Sequence, residues 1–282
     1  MAVVRDWRGI ADLPALQSLA VAQRRVAPLR TNWHSGDLAW QIARESEWDI
    51  RIWEDGGEIV GWTWKKGDEL EFEVRDDHRA LVAEMLEDSG LRTVRVLVDD
   101  EEIVAAIAEQ GFTGRGEWTM YFNRQAFDAP PQVLEVPDGF TLRSIEAADL
   151  VERVEIHRDV WAPSKLTAEK FTNVMATPPY RRSLDCVAVA PDGDFASYAL
   201  LWPEDATGVG ELEPVGTREQ YRRLGLGAAV CTFALRQWYD QGGREAIVYC
   251  VTAPACALYE SIGFRRYATL GTFTRPAVTA AT

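Results

Sequence analysis

The sequence predicts an α/β (α+β) chain of two tandem folds, each a mixed, mostly antiparallel sheet flanked by helices. In some stretches apolar residues alternate at two-residue steps, and in others they recur at three- and four-residue steps. The order of these stretches in the first half is strand, two helices, three strands, helix, strand, helix and strand, and it recurs in the second half. A proline-rich stretch of low periodicity, residues 125–138, separates the halves.

The first half alternates short strands with helices that end near glycines. Leu13, Leu16 and Leu19 share one side of a predicted helix, and Gly56-Gly57 predicts a hairpin turn between two strands. The predicted strands are residues 3–5, 48–53, 59–64, 69–74, 93–98 and 112–122, and the predicted helices are 12–27, 36–44, 81–86 and 101–110.

The second half follows the same order. Aligning Gly111-Phe112 with Gly263-Phe264 gives an offset of 152 residues between the halves. We therefore expect a first domain at 1–124, a linker at 125–138 and a second domain at 139–282; an unrelated first domain is the alternative. The predicted strands are residues 140–143, 185–190, 195–202, 211–215 and 246–251, and the first two predicted helices are 147–161 and 168–176. A third helix carries the apolar residues from Leu226 to Trp238 and ends at Gly242-Gly243, and Pro254 lies in the first turn of a fourth.

The composition excludes several classes of function. The 282 residues carry a net charge of −14, and both halves are acidic, which argues against nucleic acid or an anionic membrane as a partner. The first residues do not resemble a signal peptide, and no apolar run is long enough to span a membrane. The three histidines make no metal motif. We expect a cytoplasmic protein whose four cysteines are buried free thiols: Cys186, Cys231, Cys250 and Cys256.

The stretch from Glu211 to Gly227 carries the strongest chemical signal. It begins as a strand that should bulge at Pro214, because proline cannot donate to a sheet ladder. It then runs through an arginine- and glycine-containing loop, RRLGLG, into a helix. The first turn of a helix has unpaired N–H groups and a partial positive charge, and glycines let a diphosphate approach that backbone closely.

A second motif follows this loop after a buried strand, and the pair resembles the GNAT superfamily of acyl-CoA-dependent N-acetyltransferases. In that family R/Q-x-x-G-x-G/A binds the CoA pyrophosphate, and a later L-Y-E-x-x-G-F carries a tyrosine beside the CoA sulfur. Here Arg222–Gly227 matches the first motif and Leu258–Phe264 matches the second, in the family's order. The resemblance covers about residues 195–275.

The resemblance implies a role for each matching residue. Tyr259 corresponds to the general acid that protonates the leaving CoA sulfur. Thr252 stands where many members have an asparagine that contacts the CoA arm, so it either donates a hydrogen bond there or only caps the helix. The remaining implied acetyl-CoA contacts are the strand edge Val215, Gly216 and Thr217, and the pyrophosphate loop Arg222, Arg223, Leu224, Gly225, Leu226, Gly227 and Ala228.

The catalytic base is implied with less precision. The family often uses a glutamate on the strand before the loop, and Glu211 precedes Arg222 by a spacing that several members share. Glu213 lies on the same face of the strand, two residues on, and is the second candidate. A solvated strand face would explain both carboxylates equally well. No metal is expected.

The first half lacks the residues that the resemblance makes functional. In place of RRLGLG it has an acidic segment without glycine after Val74, and Ile107 falls on the position of Tyr259 at the offset of 152. We therefore expect a degenerate first GNAT domain and an intact second one. The implied activity is acetyl transfer from acetyl-CoA to a primary amine of a small molecule, by a monomer or homodimer. Alternatives are a non-catalytic acyl-CoA-binding regulatory module, a mycothiol-synthase-like acetyltransferase or an interaction scaffold.

Overall fold

The computed structural model describes residues 2–45 and 47–276, so the last six residues of the predicted second domain lie outside the described residues. The chain divides into two compact units. The first unit comprises residues 1–34, 46–122 and 266–282, and the second comprises 35–45 and 123–265. A short segment from the first half therefore belongs to the second unit, and the C-terminal strand belongs to the first. The predicted end of the first domain at residue 124 and start of the second at residue 139 stay a prediction.

The first unit is a mixed sheet with helices. The strands are β1 (Val3–Asp6), β2 (Asp49–Asp55), β3 (Glu58–Lys66), β4 (Glu69–Val74), β5 (Thr93–Leu97), most of β6 (Gly114–Ala126) and most of β12 (Arg265–Thr274). Their order in the sheet is β1-β2-β3-β4-β5-β12-β6, with β4 and β5 parallel and β1–β4 antiparallel. The helices are α1 (Leu13–Val26), α3 (Val82–Ser89) and α4 (Glu101–Glu109), and α2 (Ser35–Ile42) belongs to the second unit.

The second unit repeats that design. The strands are β7 (Thr141–Ser144), β8 (Asp185–Val189), β9 (Phe195–Glu204), β10 (Val209–Thr217) and β11 (Glu245–Cys250). After the end of β6 their order in the sheet is β11-β10-β9-β8-β7, with β10 and β11 parallel and β7–β10 antiparallel. The helices, besides α2, are α5 (Leu150–Val160), α6 (Ala168–Met175), α7 (Leu226–Asp240) and α8 (Ala253–Ser261).

The predicted offset of 152 residues is visible in local geometry. Phe112 donates its backbone N–H to the carbonyl of Ile107 at 3.1 Å, and Phe264 makes the same bond to Tyr259 at 3.1 Å. Gly111 and Gly263 both have positive φ, at 84° and 104°. Glycine adopts that conformation at no steric cost, so the chain can turn out of a helix there in both units. The α/β fold class and the repeated element order are confirmed.

Each unit has its own core. In the second unit α2 contributes Ala39, Trp40 and Ala43 to a buried cluster that also contains Tyr198 and Trp202 of β9. Gly36 lies against Trp202 so closely that a Cβ on it would be 2.1 Å from the Trp202 Cβ. The helix is thus an integral part of the second unit, although it lies far away in the sequence.

One expectation about cysteines is wrong. Cys250 and Cys256 form a disulfide, while Cys186 and Cys231 are free and buried as expected. The chain reverses between β11 and α8, where Thr252 and Pro254 start the helix, and this brings the two Cα atoms to 5.7 Å. That separation lies in the ordinary disulfide range. Spacing in the sequence could not show the reversal.

Candidate active site

Strand β10 bulges where the proline predicts it. Its pairing with β9 shifts register between Leu212 and Val215, across Pro214. Its parallel pairing with β11 runs only from Val209 to Glu211. Beyond Glu211 the two strands part, so among the described residues the edge of Val215–Thr217 that faces β11 has no strand partner. A splayed edge of this kind presents backbone N–H and C=O groups to an extended ligand.

The loop after β10 leads into α7 through two residues with positive φ. Arg223 has φ 65° and Gly225 has φ 80°, and Leu226 then begins the helix without a side-chain cap. Gly227 is buried, and a Cβ there would be 2.9 Å from Leu258 Cδ1 and 3.2 Å from Thr217 Oγ1. The free N–H groups of an uncapped helix N-terminus suit a diphosphate. Glycines at 225 and 227 keep side chains away from this backbone, so the diphosphate could approach it closely.

The other loop residues add positive charge or close the helix start. Arg222 and Arg223 are exposed, Arg222 donates from Nε to the carbonyl of Thr217 at 3.4 Å, and Ala228 is half-buried in the first turn. Leu224 is exposed and Leu226 is buried. The structure therefore brings together the predicted loop residues from 222 to 228.

The two glutamates of β10 lie in different surroundings. Glu211 is completely buried, whereas Glu213 is half-buried. Asp37 of α2 joins them, and one oxygen from each of the three carboxyls lies within 4.8 Å of the others. One small cation could contact all three groups. A plain solvated strand face, the alternative left open by the sequence, does not describe this arrangement.

Burial and neighbouring charge raise the pKa of Glu213 well above its ordinary value. Desolvation is the largest cause, the carboxylates of Asp37 and Glu211 add to it, and the guanidinium of Arg44 opposes it. Arg44 is itself desolvated, which lowers its pKa, and it stacks over the ring of Trp40 at 4.3 Å. A carboxyl in such a place holds its proton more tightly than one in water.

Tyr259 is buried in α8 with 7% of its surface exposed. Burial raises its pKa well above the ordinary value, and the nearby Cys231, Glu213 and Tyr198 contribute. The side chain therefore keeps its proton at neutral pH, as a general acid must. Thr252, at the start of α8, accepts a hydrogen bond from the N–H of Ala255 at 3.4 Å and so caps the helix.

An aromatic group that the sequence did not single out as a unit lies beside the splayed edge. Tyr198 of β9 has its hydroxyl 2.8 Å from His157 Nδ1, and it accepts a hydrogen bond from Trp161 Nε1 at 2.8 Å. A Cβ on Gly216 would be 2.8 Å from the Tyr198 ring. Burial, with the charges of Arg153 and Arg44, lowers the pKa of His157 to about 3, so the histidine is neutral.

A buried ion pair packs against the ring of Tyr198 in this aromatic group. Arg153 donates to Asp185 at 2.8 Å, both side chains are completely buried, and the guanidinium lies 4.0 Å from the centre of the Tyr198 ring. Tyr198, Asp37 and Arg44 are not among the residues that the sequence singled out. Asp37 and Arg44 lie about 170 residues before β10 in the sequence, and no local pattern links them to it.

The comparisons with known proteins agree with this geometry. Residues 153–264 match the model of the acetyltransferase (GNAT) family. Over this segment, which is less than half of the chain, the sequence is similar to GNAT acetyltransferases. The family uses acetyl-CoA as its acyl donor, and the site just described carries the family's two motifs. No curated protein sequence matches the chain.

Solved structures show the two-domain fold over the whole chain. A GCN5-related N-acetyltransferase from Sphaerobacter thermophilus is 18% identical with a TM-score of 0.63, covering 100% of this chain and 98% of that one. A tandem GNAT protein from the clavulanic acid biosynthesis pathway is 15% identical with a TM-score of 0.64, covering 98% and 100%. A GNAT-family acetyltransferase from Colwellia psychrerythraea is 12% identical with a TM-score of 0.64, covering 97% and 100%. The chain has the tandem GNAT fold.

No helix among residues 2–45 and 47–276 combines the length and apolar character that crossing a bilayer requires.

Proposed function

We propose that the protein is an acetyl-CoA-dependent N-acetyltransferase that acts on a primary amine of a small molecule by direct attack. The observation that carries this proposal is the splay of β10 and β11, which opens between the glycine loop at the start of α7 and the buried Tyr259 of α8. A helix N-terminus, an unpartnered strand edge and a protonated tyrosine suit the binding of a CoA thioester and the departure of its thiol.

Acetyl-CoA would supply the acyl group as a thioester, and the residues present fit it. The N–H groups of Leu226, Gly227 and Ala228 would hold the pyrophosphate, with Arg222 and Arg223 adding positive charge. The edge of Val215–Thr217 would pair with the pantetheine arm, and an N–H of that edge would donate to the acyl carbonyl oxygen. Leu224 closes the loop, and the hydroxyl of Thr252 can still donate to the arm, because capping uses only its acceptor capacity.

The chain's own groups would move two protons. An amine is mostly ammonium near pH 7 and cannot attack until it loses a proton. We assign the uptake of that proton to Glu211, with Glu213 as the alternative. Tyr259 would then give its hydroxyl proton to the departing sulfur, so that CoA leaves as a thiol.

The acidic surroundings favour a cationic small molecule over a nucleic acid as the acceptor. We place the reaction in the cytoplasm, in a monomer or homodimer.

A panel of small primary amines, each incubated with acetyl-CoA, tests the proposal by the appearance of free CoA thiol. We expect thiol release that depends on one amine and a product that is heavier by one acetyl group. If CoA binds but no amine in the panel releases thiol, a non-catalytic acyl-CoA-binding module becomes the better description. Use of a longer acyl-CoA in preference to acetyl-CoA would correct the donor but keep the reaction.

A further inference from the structure

The second unit contains a pair of cysteines at the point where β11 ends and α8 begins. Cys250 is the last residue of β11 and Cys256 lies in α8, and the two form a disulfide whose Cα atoms are 5.7 Å apart. Both side chains are buried, but residues 251–254, which lie between them, are exposed. The disulfide therefore closes a short surface segment rather than joining two parts of the core.

The two ends of this segment are held in different ways. Cys250 belongs to the sheet, where Asn123 of the neighbouring strand β6 donates from Nδ2 to its sulfur at 3.4 Å. Cys256 belongs to a helix of only nine residues, whose start is capped by the hydroxyl of Thr252. A helix this short is marginal by itself, so its position depends on what holds it in place. The disulfide supplies a covalent link from α8 to the sheet.

Helix α8 contacts the proposed CoA site at three points. Thr252 stands at its start, and Tyr259, the proposed acid, is buried three residues beyond Cys256. Between them, Leu258 packs over the start of α7, where a Cβ on Gly227 would be 2.9 Å from Leu258 Cδ1. A shift of α8 against the sheet therefore moves all three contacts together. A misplacement of about 1 Å at a reacting group can lower a rate by as much as ~100-fold.

The other two cysteines do not take part in such chemistry. Cys186 and Cys231 are free thiols without exposed surface. Burial raises the pKa of the Cys231 thiol to about 12, and it raises the pKa of the Cys186 thiol as well. The thiolate is the form that attacks a disulfide, so both residues are unreactive near neutral pH. Thiol–disulfide exchange in this chain is therefore confined to Cys250 and Cys256.

We propose that Cys250 and Cys256 form a reversible redox site, whose disulfide holds α8 in the position that binds CoA and presents Tyr259. The inference rests on the proposed function and adds regulation to it. Disulfides are rare in cytoplasmic proteins, and those that form there are usually transient and catalytic or redox-sensing. The oxidised protein, in which the helix is tied to the sheet, is the more active form, and reduction lowers both CoA affinity and turnover.

The exchange balances with a low-molecular-weight thiol as the reductant. Its thiolate attacks one sulfur of the pair and forms a mixed disulfide, and the other cysteine leaves as a thiolate that takes up a proton. A second small thiolate then attacks the small-molecule sulfur of the mixed disulfide, which releases the second cysteine and a low-molecular-weight disulfide. The protein gains two electrons and two protons. The reverse sequence, with the low-molecular-weight disulfide as the oxidant, closes the pair again.

Calorimetric titration of the full chain with CoA, before and after treatment of the folded protein with dithiothreitol, tests the proposal without an acceptor. We expect reduction to weaken CoA binding about tenfold, the effect of having to order one further backbone residue on binding. Oxidised glutathione should restore the affinity. Alkylation of the folded protein followed by mass spectrometry should find the two cysteines of the pair labelled only after reduction. With an amine that is acetylated, kcat should fall about tenfold on reduction.

Cys186→Ser is the matched control, because it removes a cysteine outside the pair, and its CoA affinity should respond to reduction as that of wild type does. Cys250→Ser combined with Cys256→Ser should bind CoA like reduced wild type and respond to neither reagent. If CoA affinity follows the redox state but no amine is acetylated, the proposed function fails and the redox site stands. A disulfide that dithiothreitol does not reduce in the folded protein, or equal CoA affinity in the two states of wild type, overturns the inference.

Discussion

In each unit two parallel strands separate after a short paired stretch. Only in the second unit does a glycine-containing loop follow the first of these strands. In the first unit β4 and β5 pair in parallel at Glu69 and Leu70 and then part, as β10 and β11 do after Glu211. The gap between β4 and β5 is filled by side chains, which leave a cavity of about 20 Å³, enough for one water molecule. The repeat has therefore preserved the separation of the two parallel strands, and side chains line it closely in the first unit.

Two side chains fill the splay of the first unit. Arg79 donates to Asp100 at 2.8 Å and to Asp76 at 2.9 Å, and Gln23 donates to the carbonyl of Val74 at 2.8 Å. The loop after β4 is a short 3-10 helix, Asp76–Leu81, with two acidic residues in its first turn. A loop of this charge without glycine repels a diphosphate, whereas the second unit offers arginines and an uncapped helix start.

The largest difference to test is the proton donor. At the offset of 152, Tyr259 corresponds to Ile107, which is also buried. We expect Tyr259→Phe to lower kcat by about 100- to 10,000-fold, because a positioned general acid contributes that much, with little change in CoA affinity. Steady-state and single-turnover kinetics would measure this effect. Tyr239→Phe, a half-buried tyrosine of α7, is the control and should be neutral. If Tyr259→Phe turns over as fast as wild type while the chemical step limits the rate, water and not Tyr259 protonates the departing sulfur.

The paired glutamates give the next difference. By strand register Glu71 and Glu73 of β4 correspond to Glu211 and Glu213, yet Glu71 is engaged by Lys66 and Arg95. We expect Glu211→Gln to lower kcat/KM at neutral pH by about 100-fold and to recover at high pH, where the amine loses its proton unaided. Glu213→Gln should do less, and Glu71→Gln nothing. A defect confined to Glu213→Gln would show that Glu213, and not Glu211, is the base.

Glu73 makes the first unit pH-sensitive in stability. Burial raises its pKa to about 8, against an opposing effect of the backbone N–H groups of Asn32 and Trp33. The folded state therefore binds this proton more tightly than the unfolded chain, whose glutamates have a pKa of about 4.3. Stability should fall by a few kcal/mol as pH rises from about 4.5 to 8 and then level off.

Urea unfolding at several pH values, followed for wild type and Glu73→Gln, measures this effect. Gln removes the titrating group, so the variant should lose most of the decline and exceed wild type near pH 8. If the free energy of unfolding depends on pH in the same way in the two proteins, Glu73 is ionised over the whole pH range.

The smallest expected effect concerns the disulfide, which the first unit lacks. At the same offset Cys250 and Cys256 correspond to Val98 and Val104. We expect Cys250→Ser to cost about 2 kcal/mol of unfolding free energy, because the ring that the disulfide closes is short. Thermal unfolding with and without a thiol reductant checks it. Wild type in reductant should match the variant, and a variant as stable as oxidised wild type would show that the ring constrains nothing.

Most of the fold and the CoA side of the site could be predicted from the sequence because their signals are local. The proline bulge at Pro214, the RRLGLG loop and the buried α8 with Tyr259 lie within 50 residues of one another, and each has a pattern of its own. The contribution of α2 could not be predicted. Asp37 and Trp40 look like members of an ordinary helix in the first half, and only tertiary packing brings them to β10.

The central claim, that only the splay of the second unit binds acyl-CoA, is tested most directly by calorimetric titration of the full chain with CoA. Wild type should bind one CoA per chain. Gly225→Val combined with Gly227→Val should bind none, because the first change strains a positive φ and the second fills the contact with Leu258 and Thr217. Gly56→Val with Gly57→Val imposes similar backbone strain in an open hairpin turn and should still bind one. Two CoA molecules per chain, or unchanged binding when Gly225 and Gly227 are replaced, would contradict the account.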